Sequence, residues 1–149
     1  MTDQTLTPAE IADFHCLAGI VVPASTRYKV PGADDDAIFA DILNSLERDT
    51  DPVRVALALL RTHAGGSFAA LSPARRAEVA AKLRADGGTP VAVLTRNVLL
   101  CYYRDPRVMV SLGLEARPPF PKGHVVDQGD WSLLDPVRAR PPFWRPAPR

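Results

Sequence analysis

Five times in the first 113 residues of this chain, a residue that can cap a helix is followed directly by proline. Proline fits the first helical position because its φ is already helical, and the residue before it can accept hydrogen bonds from the first turn. The five pairs are Thr7-Pro8, Asp51-Pro52, Ser72-Pro73, Thr89-Pro90 and Asp105-Pro106. Together with the short connections between them, they predict an all-α chain, a small helical bundle of about five or six helices with little strand.

Apolar residues recur at helical spacing after these starts, so each helix should turn one face to a common core. The first helix should run from the capping-box sequence Thr7-Pro8-Ala9-Glu10 to about Val22. Its inward face comprises Ile11, Phe14, Leu17, Ala18 and Val21. A second helix should follow the acidic run Asp34–Asp36. A helix start explains this run better than a metal site, since metal ligands must be spaced so that they converge.

The segment from Pro90 to Gly113 reads PVAVLTRNVLLCYYRDPRVMVSLG. It predicts one long helix, a break at Asp105-Pro106 and a second, short helix. The long helix is apolar on nearly all sides, and such a helix is typically buried on nearly all sides. We therefore expect it to be the central helix, with the earlier helices packed around it.

The composition changes after Gly113. Residues 114–149 contain eight prolines in 36 positions, a density that excludes a long helix and favours extended chain. Both tryptophans of the protein lie here, and disordered tails are poor in aromatic residues. The sequence therefore predicts a helical body over residues 1–113. The long, extended, Pro-rich C-terminal tail over residues 114–149 should wrap on the body or on a partner subunit.

Charge is unevenly distributed along the 149 residues. Residues 1–60 carry 10 acidic and 4 basic side chains, and residues 61–149 carry 7 acidic and 14 basic ones. This asymmetry fits either a nucleic-acid surface or a surface for a protein partner, and the net charge of +1 favours the protein. No export signal or membrane span is visible, which predicts a cytoplasmic protein with Cys16 and Cys101 reduced.

Motifs for catalysis are missing from the sequence. It contains no phosphate-binding loop, dinucleotide fingerprint or nucleophile elbow. His15, His63 and His124 have no neighbours at a spacing typical of zinc ligands. Tyr102-Tyr103-Arg104-Asp105 could suggest proton transfer, but Asp105 as a helix cap and the tyrosines as packed rings explain it better. We expect no catalytic, cofactor-binding or metal-binding residue in this chain.

Several sequence blocks match one family in the same order. They are LTPAEIADFHCLAGIVVPAS, VPGADD, CYYRDPRVMVSLGL, PPFPKG and QGDWSLLDPVRARPPFWRP. On these blocks the chain resembles the gluconate 2-dehydrogenase subunit 3 family, the small subunits of flavin-dependent dehydrogenases of the glucose–methanol–choline type. Members generally bind the large catalytic subunit and support its folding, and in exported complexes they supply a twin-arginine signal. That signal is missing here, which points to an intracellular complex.

The resemblance implies a non-catalytic small subunit of a heteromeric FAD-dependent dehydrogenase or oxidase acting on an alcohol, sugar or glycoside. FAD would be held by the large flavoprotein subunit, and this chain would carry no cofactor, bind no nucleic acid and not insert into a membrane. Alternatives are a transient assembly chaperone for flavin loading, a free-standing enzyme and a nucleic-acid-binding helical protein. The residues expected to contact the partner are Tyr102, Tyr103, Arg104, Arg107, Trp131, Phe143 and Trp144.

Overall fold

The structure is a computed structural model that describes residues 6–117 and 127–141. These residues form two units, 6–117 and 127–141. The first unit contains α1 (Pro8–Val21), α2 (Asp36–Asn44), a 3-10 turn (Glu47–Asp49), α3 (Thr50–Ala64), α4 (Pro73–Asp86), α5 (Gly88–Arg104) and α6 (Pro106–Ser111). The described residues contain no strand, only one isolated bridge between Ser25 and Val30. The prediction of an all-α fold is confirmed for them.

Three of the five cap–proline pairs cap their helices as expected. Thr7 and Glu10 form a reciprocal capping box, with the Thr7 N–H donating to Glu10 Oε2 at 2.7 Å. Ser72 caps α4 and Asp105 caps α6. The other two helices start earlier than predicted, at Thr50 and Gly88. Because the 3-10 turn runs straight into α3, Asp51 lies inside the first turn of that helix and does not cap it.

The core lies where α3 packs against α1, α4 and α5, with α2 also packed on α5. Its fully buried large side chains come from every one of these helices and from the loop after α3. They are Phe14, Ile38, Ile42, Val53, Leu57, Leu60, Phe68, Val79, Leu94 and Val98. Burying each such side chain contributes about 1.5–3 kcal/mol before the entropy of ordering is subtracted. The predicted inward positions Phe14, Leu17 and Ala18 of α1 are buried.

A carboxylate is also completely buried in α1. Asp13 accepts hydrogen bonds from Arg61 Nε at 2.8 Å, from the Ala69 N–H at 2.8 Å and from Ser67 Oγ at 3.2 Å. These partners come from the end of α3 and the loop that follows it. A buried charge is tolerated when it is paired and hydrogen-bonded in this way. Asp13 therefore fixes the α3–α4 loop against α1.

The prediction that α5 is buried on nearly all sides is wrong. One side of α5 is buried through Leu94, Val98 and Cys101, but Leu100 is 60% exposed and Tyr103 is 54% exposed. The reason is that α5 has packed neighbours on one side and at its end, namely α1, α2, α3 and α6. No described helix is both long enough and apolar enough to cross a membrane.

The second unit consists of a 3-10 turn (Trp131–Leu134) followed by the single helical turn α7 (Asp135–Arg138). The Ser132 N–H donates to Asp130 Oδ1 at 3.0 Å, so Asp130 caps the turn. Pro136 lies in the first turn of α7, where a missing N–H costs nothing. The prediction of an extended tail is therefore corrected for residues 131–138, which form these two short helical segments.

Candidate partner-binding surface

The polar side of α5 is bonded to the body of the protein. Arg104 forms a bidentate pair with Asp41 of α2, with Nε and an amino nitrogen each 2.6 Å from a carboxylate oxygen. The same guanidinium donates to Ser45 Oγ at 2.5 Å. Two turns back, Asn97 Nδ2 donates to Asp49 Oδ2 at 3.0 Å, and Arg96 also binds that carboxylate. This side of α5 is thereby held to α2 and to the turn before α3.

Arg107 joins two helix N-termini. Its guanidinium binds both carboxylate oxygens of Asp35, the cap of α2, at 2.7 and 3.1 Å. It also binds both oxygens of Asp105, the cap of α6, at 3.0 Å each. These residues belong to the sequence blocks VPGADD and CYYRDPRVMVSLGL, which are about 70 positions apart. Two of the blocks that carry the family resemblance are therefore in contact in the folded body.

The ion pairs shift the pKa values of their members. Hydrogen bonds from Arg107 hold the pKa of Asp35 and the pKa of Asp105 below the ordinary value for aspartate. Asn97 and then Arg96 lower the pKa of Asp49 in the same way. Burial raises the pKa of the Cys101 thiol, which lies beneath this cluster. All these carboxylates are charged at neutral pH, as salt bridges that stabilise the body require.

The two adjacent tyrosines have different environments. Tyr102 is buried, and its hydroxyl donates to the Pro31 carbonyl oxygen at 3.2 Å. Burial raises the pKa of that hydroxyl. Tyr103 faces solvent, with its ring packed edge-to-face on Tyr102 at a centroid distance of 5.3 Å. Of these two predicted contact residues, Tyr103 presents its ring to solvent and Tyr102 orients it from below.

The outer side of α5 forms an apolar surface. We call Leu99, Leu100 and Tyr103 the α5 face; their side chains are 36%, 60% and 54% exposed. An open depression of about 810 Å³ runs along it, lined by Val91, Ala92, Thr95 and these three residues, with Arg96 and Arg104 at its edge. Contiguous exposed apolar side chains rimmed by polar ones mark interaction sites in soluble proteins. This surface is therefore the candidate site.

The predicted contact residues of the tail are described only in part. Trp131 is 62% exposed, and Leu133 and Val137 beside it are exposed as well. Exposed tryptophan is a residue type enriched among energetic anchors at interfaces. Phe143 and Trp144 lie outside the described residues, as does nearly half of the segment predicted to wrap. The wrapping of the tail stays a prediction.

Two of the three histidines contact other side chains of the body. His15 packs edge-to-face on Phe39 at 4.8 Å, and His63 Nε2 lies 2.5 Å from Asp86 Oδ2, linking the ends of α3 and α4. Cys16 and Cys101 are free thiols. Among residues 6–117 and 127–141, no three His, Cys, Asp or Glu side chains are grouped so that they could hold a metal ion. His124 lies outside this part of the chain.

Sequence reasoning missed the exposure of Leu99 and Leu100. The sequence places apolar residues on every side of α5, but it does not indicate which side has no neighbouring helix. It left open whether Arg104 and Arg107 pair within the chain or across an interface, and it did not identify Asp41 and Asp35 as their internal partners. The charge imbalance between the acidic first 60 residues and the basic remainder was the signal for those pairs, because each joins the two segments.

Comparison with known proteins gives no assignment: no family model matches the chain, and neither a curated protein nor a solved structure matches it. The function is therefore inferred from the sequence blocks and the surface described above.

Proposed function

We propose that this protein is a non-catalytic small subunit of a heteromeric FAD-dependent dehydrogenase or oxidase that acts on an alcohol, sugar or glycoside. It binds and stabilises a large flavoprotein subunit, which holds the FAD and carries out the reaction. The resemblance to the gluconate 2-dehydrogenase subunit 3 family supplies the identity of the partner. The observation that carries the proposal is the exposed apolar α5 face, a surface suited to protein contact.

The distribution of charge supports a scaffold that docks through apolar contact. Arg104 is paired with Asp41, and Arg107 is paired with Asp35 and Asp105. The charges of both arginines are therefore already paired within the body. Tyr103 and Leu100 lie in front and are available to a partner. Tyrosine and leucine side chains at the centre of an interface exclude water and contribute through buried apolar area. Partner binding should therefore depend mainly on these two side chains.

Purification of the tagged full chain from its native host tests the proposal directly. A stoichiometric large subunit with a flavin absorbance spectrum is the expected result. Leu100→Asp or Tyr103→Asp should reduce the flavin recovered by about tenfold or more, because a charge at the centre of an apolar interface is left without a partner. Val55→Asp is the matched control, since Val55 is a 57% exposed apolar side chain on α3, away from the α5 face.

Circular dichroism of each purified variant should show unchanged helix content. A colourless wild-type eluate without a large subunit would overturn the proposal of a permanent flavoprotein partner. Full flavin recovery with both Leu100→Asp and Tyr103→Asp would show that the partner does not bind at the α5 face. Loss of the partner with Val55→Asp alone would show that it binds at α3.

A further inference from the structure

A groove lies between α4 and α5. Each of these helices packs against α1 and α3, but they make little direct contact with one another. The space between them, with α1 as its floor, has a volume of about 480 Å³. Its lining is almost entirely apolar and consists of Leu17, Ile20, Val21, Ala77, Ala80, Ala81, Leu83, Val91, Leu94, Thr95 and Leu99, with Arg84 as the charged member. We call this the α1–α4–α5 groove.

The walls of the groove suit a helix. On α4 they are the alanines Ala77, Ala80 and Ala81, whose small side chains let a helix backbone approach closely. On α5 they are the larger Val91 and Leu99, which also line the depression along the α5 face. The groove and the α5 face therefore form one continuous surface. A bound helix can place apolar residues at i, i+3, i+4 and i+7 along such a surface.

The charged residues that line this surface are arginines. Arg84 lines the groove, and Arg96 and Arg104 border the α5 face, while no aspartate or glutamate of the described residues lines either depression. Arg96 and Arg104 are paired with Asp49 and Asp41 behind them. Arg84 has no carboxylate within 4 Å among the described residues. An occupant with carboxylates along its flank would provide that missing partner.

Two other occupants, a second copy of this chain and a small molecule, fit this surface less well. In a symmetric contact between two copies of this chain, the same surface would meet itself, which brings positive side chains together. A small apolar molecule in the groove would remain open to water on the side of the α5 face, whereas small-molecule sites bury most of their ligand. A helix covers both the groove and the adjoining face.

We propose that the α1–α4–α5 groove binds one amphipathic helix of the partner protein, with acidic residues on the flank that meets Arg84. The identity of the partner as the flavoprotein subunit rests on the function proposed above. The groove and its preference for an acidic helix rest only on the geometry and charge of this chain. The two ideas are therefore separable by experiment.

The test uses two labelled peptides of about 18 residues, or about five helical turns, with one identical leucine face. One peptide carries glutamates on its flanks and the other carries lysines. Fluorescence anisotropy with the full wild-type chain should show that the glutamate peptide binds about tenfold or more tightly than the lysine peptide, and that added salt reduces the difference.

Matched variants of exposed residues locate the contact. Arg84→Glu should remove or invert the preference between the peptides, while Lys82→Glu should leave it unchanged. Lys82 is an exposed cation on the same helix and does not line the groove. Both substitutions replace a cation with glutamate, so they change the net charge equally. Ala81→Arg should weaken both peptides about tenfold or more by filling the groove, whereas Ala58→Arg, at an exposed alanine of α3, should not.

Three results would overturn the proposal. The first is equal affinity for the two peptides, or an equal effect of Lys82→Glu and Arg84→Glu. The second is displacement of the glutamate peptide by micromolar dodecanoate, which would assign the groove to a lipid chain. The third is a wild-type dimer in sedimentation that Ala81→Arg dissociates, which would assign it to a second copy.

Purification from the host separates this proposal from the proposed function. Peptide binding as expected without a captured flavoprotein would leave the groove assignment standing and overturn the function. Full capture of the flavoprotein by both Arg84→Glu and Ala81→Arg would leave the function standing and overturn the groove assignment.

Discussion

Along one side of α5, Leu94 and Val98 are buried among the other helices, while along the opposite side Leu99 and Leu100, of the same chemistry, lie in solvent. The arginines show the reverse arrangement, since Arg96 and Arg104 are directed to carboxylates of the body. The polar groups of α5 thus serve intramolecular contacts, and much of its apolar surface is left outside. A helix with this division is stabilised by its own chain on one side and is available to a partner on the other.

The largest expected difference between the two sides concerns stability. Leu94→Ala should reduce the free energy of unfolding by about 2–5 kcal/mol, because it leaves a cavity in the packed core. Leu100→Ala, the same substitution on the same helix, should change it by no more than about 0.5 kcal/mol. Urea denaturation of both variants measures the two values. Similar losses would show that the outer side of α5 is also packed in solution.

A smaller difference is expected between the adjacent tyrosines. Tyr102→Phe removes the hydrogen bond to the Pro31 carbonyl and leaves that oxygen without its donor, which should cost about 0.5–1.5 kcal/mol. Tyr103→Phe should be close to neutral, within about 0.5 kcal/mol, because its hydroxyl is in water. Thermal denaturation of the pair checks this order. Equal losses of stability in the two variants would contradict the different environments assigned to Tyr102 and Tyr103.

The smallest effect is expected at Arg107, whose own side chain is about half exposed, so that water screens its ion pairs. Arg107→Gln should lose no more than about 1 kcal/mol at neutral pH. Because Arg107 lowers the pKa of Asp35 and the pKa of Asp105, its contribution is present above the unfolded-state pKa of about 3.9 and is lost as pH falls through the folded-state values.

The stabilities of wild type and Arg107→Gln should therefore differ at pH 7 and converge at acid pH, once both carboxylates are protonated in the folded state. Urea denaturation across this pH range measures the difference, and Lys82→Gln serves as the exposed-cation control. A difference that grows as pH falls would contradict the assigned pairing.

Several parts of this structure could be read from the sequence because they depend on neighbouring residues alone. Thr7-Pro8, Ser72-Pro73 and Asp105-Pro106 start helices through contacts within one turn. The burial of Asp13 could not be read in this way, since its partners Arg61 and Ala69 are about 50 positions away. A lone carboxylate near the apolar positions of α1 does not reveal a distant donor.

The candidate site illustrates the same limit. Tyr102 and Tyr103 are indistinguishable in the sequence, and only the packing of the body separates the buried ring from the exposed one. Apolar residues around α5 predicted burial correctly on the side where α2 and α3 lie. On the other side, the same pattern corresponds to apolar side chains that none of residues 6–117 cover. An apolar pattern around a whole helix therefore does not distinguish a buried side from an exposed one.

Helix α4 differs from α5 in how much of it is buried. Only Val79 and Leu83 of its 14 residues are buried apolar side chains, although it packs against α3 and α1. Segments with few buried contacts open at a lower free energy than the molecule as a whole. Of the two walls of the groove, we therefore expect α4 to open at the lower free energy. An occupant that buries the alanines of α4 would raise that free energy, and would couple the binding of a partner to the order of the protein itself.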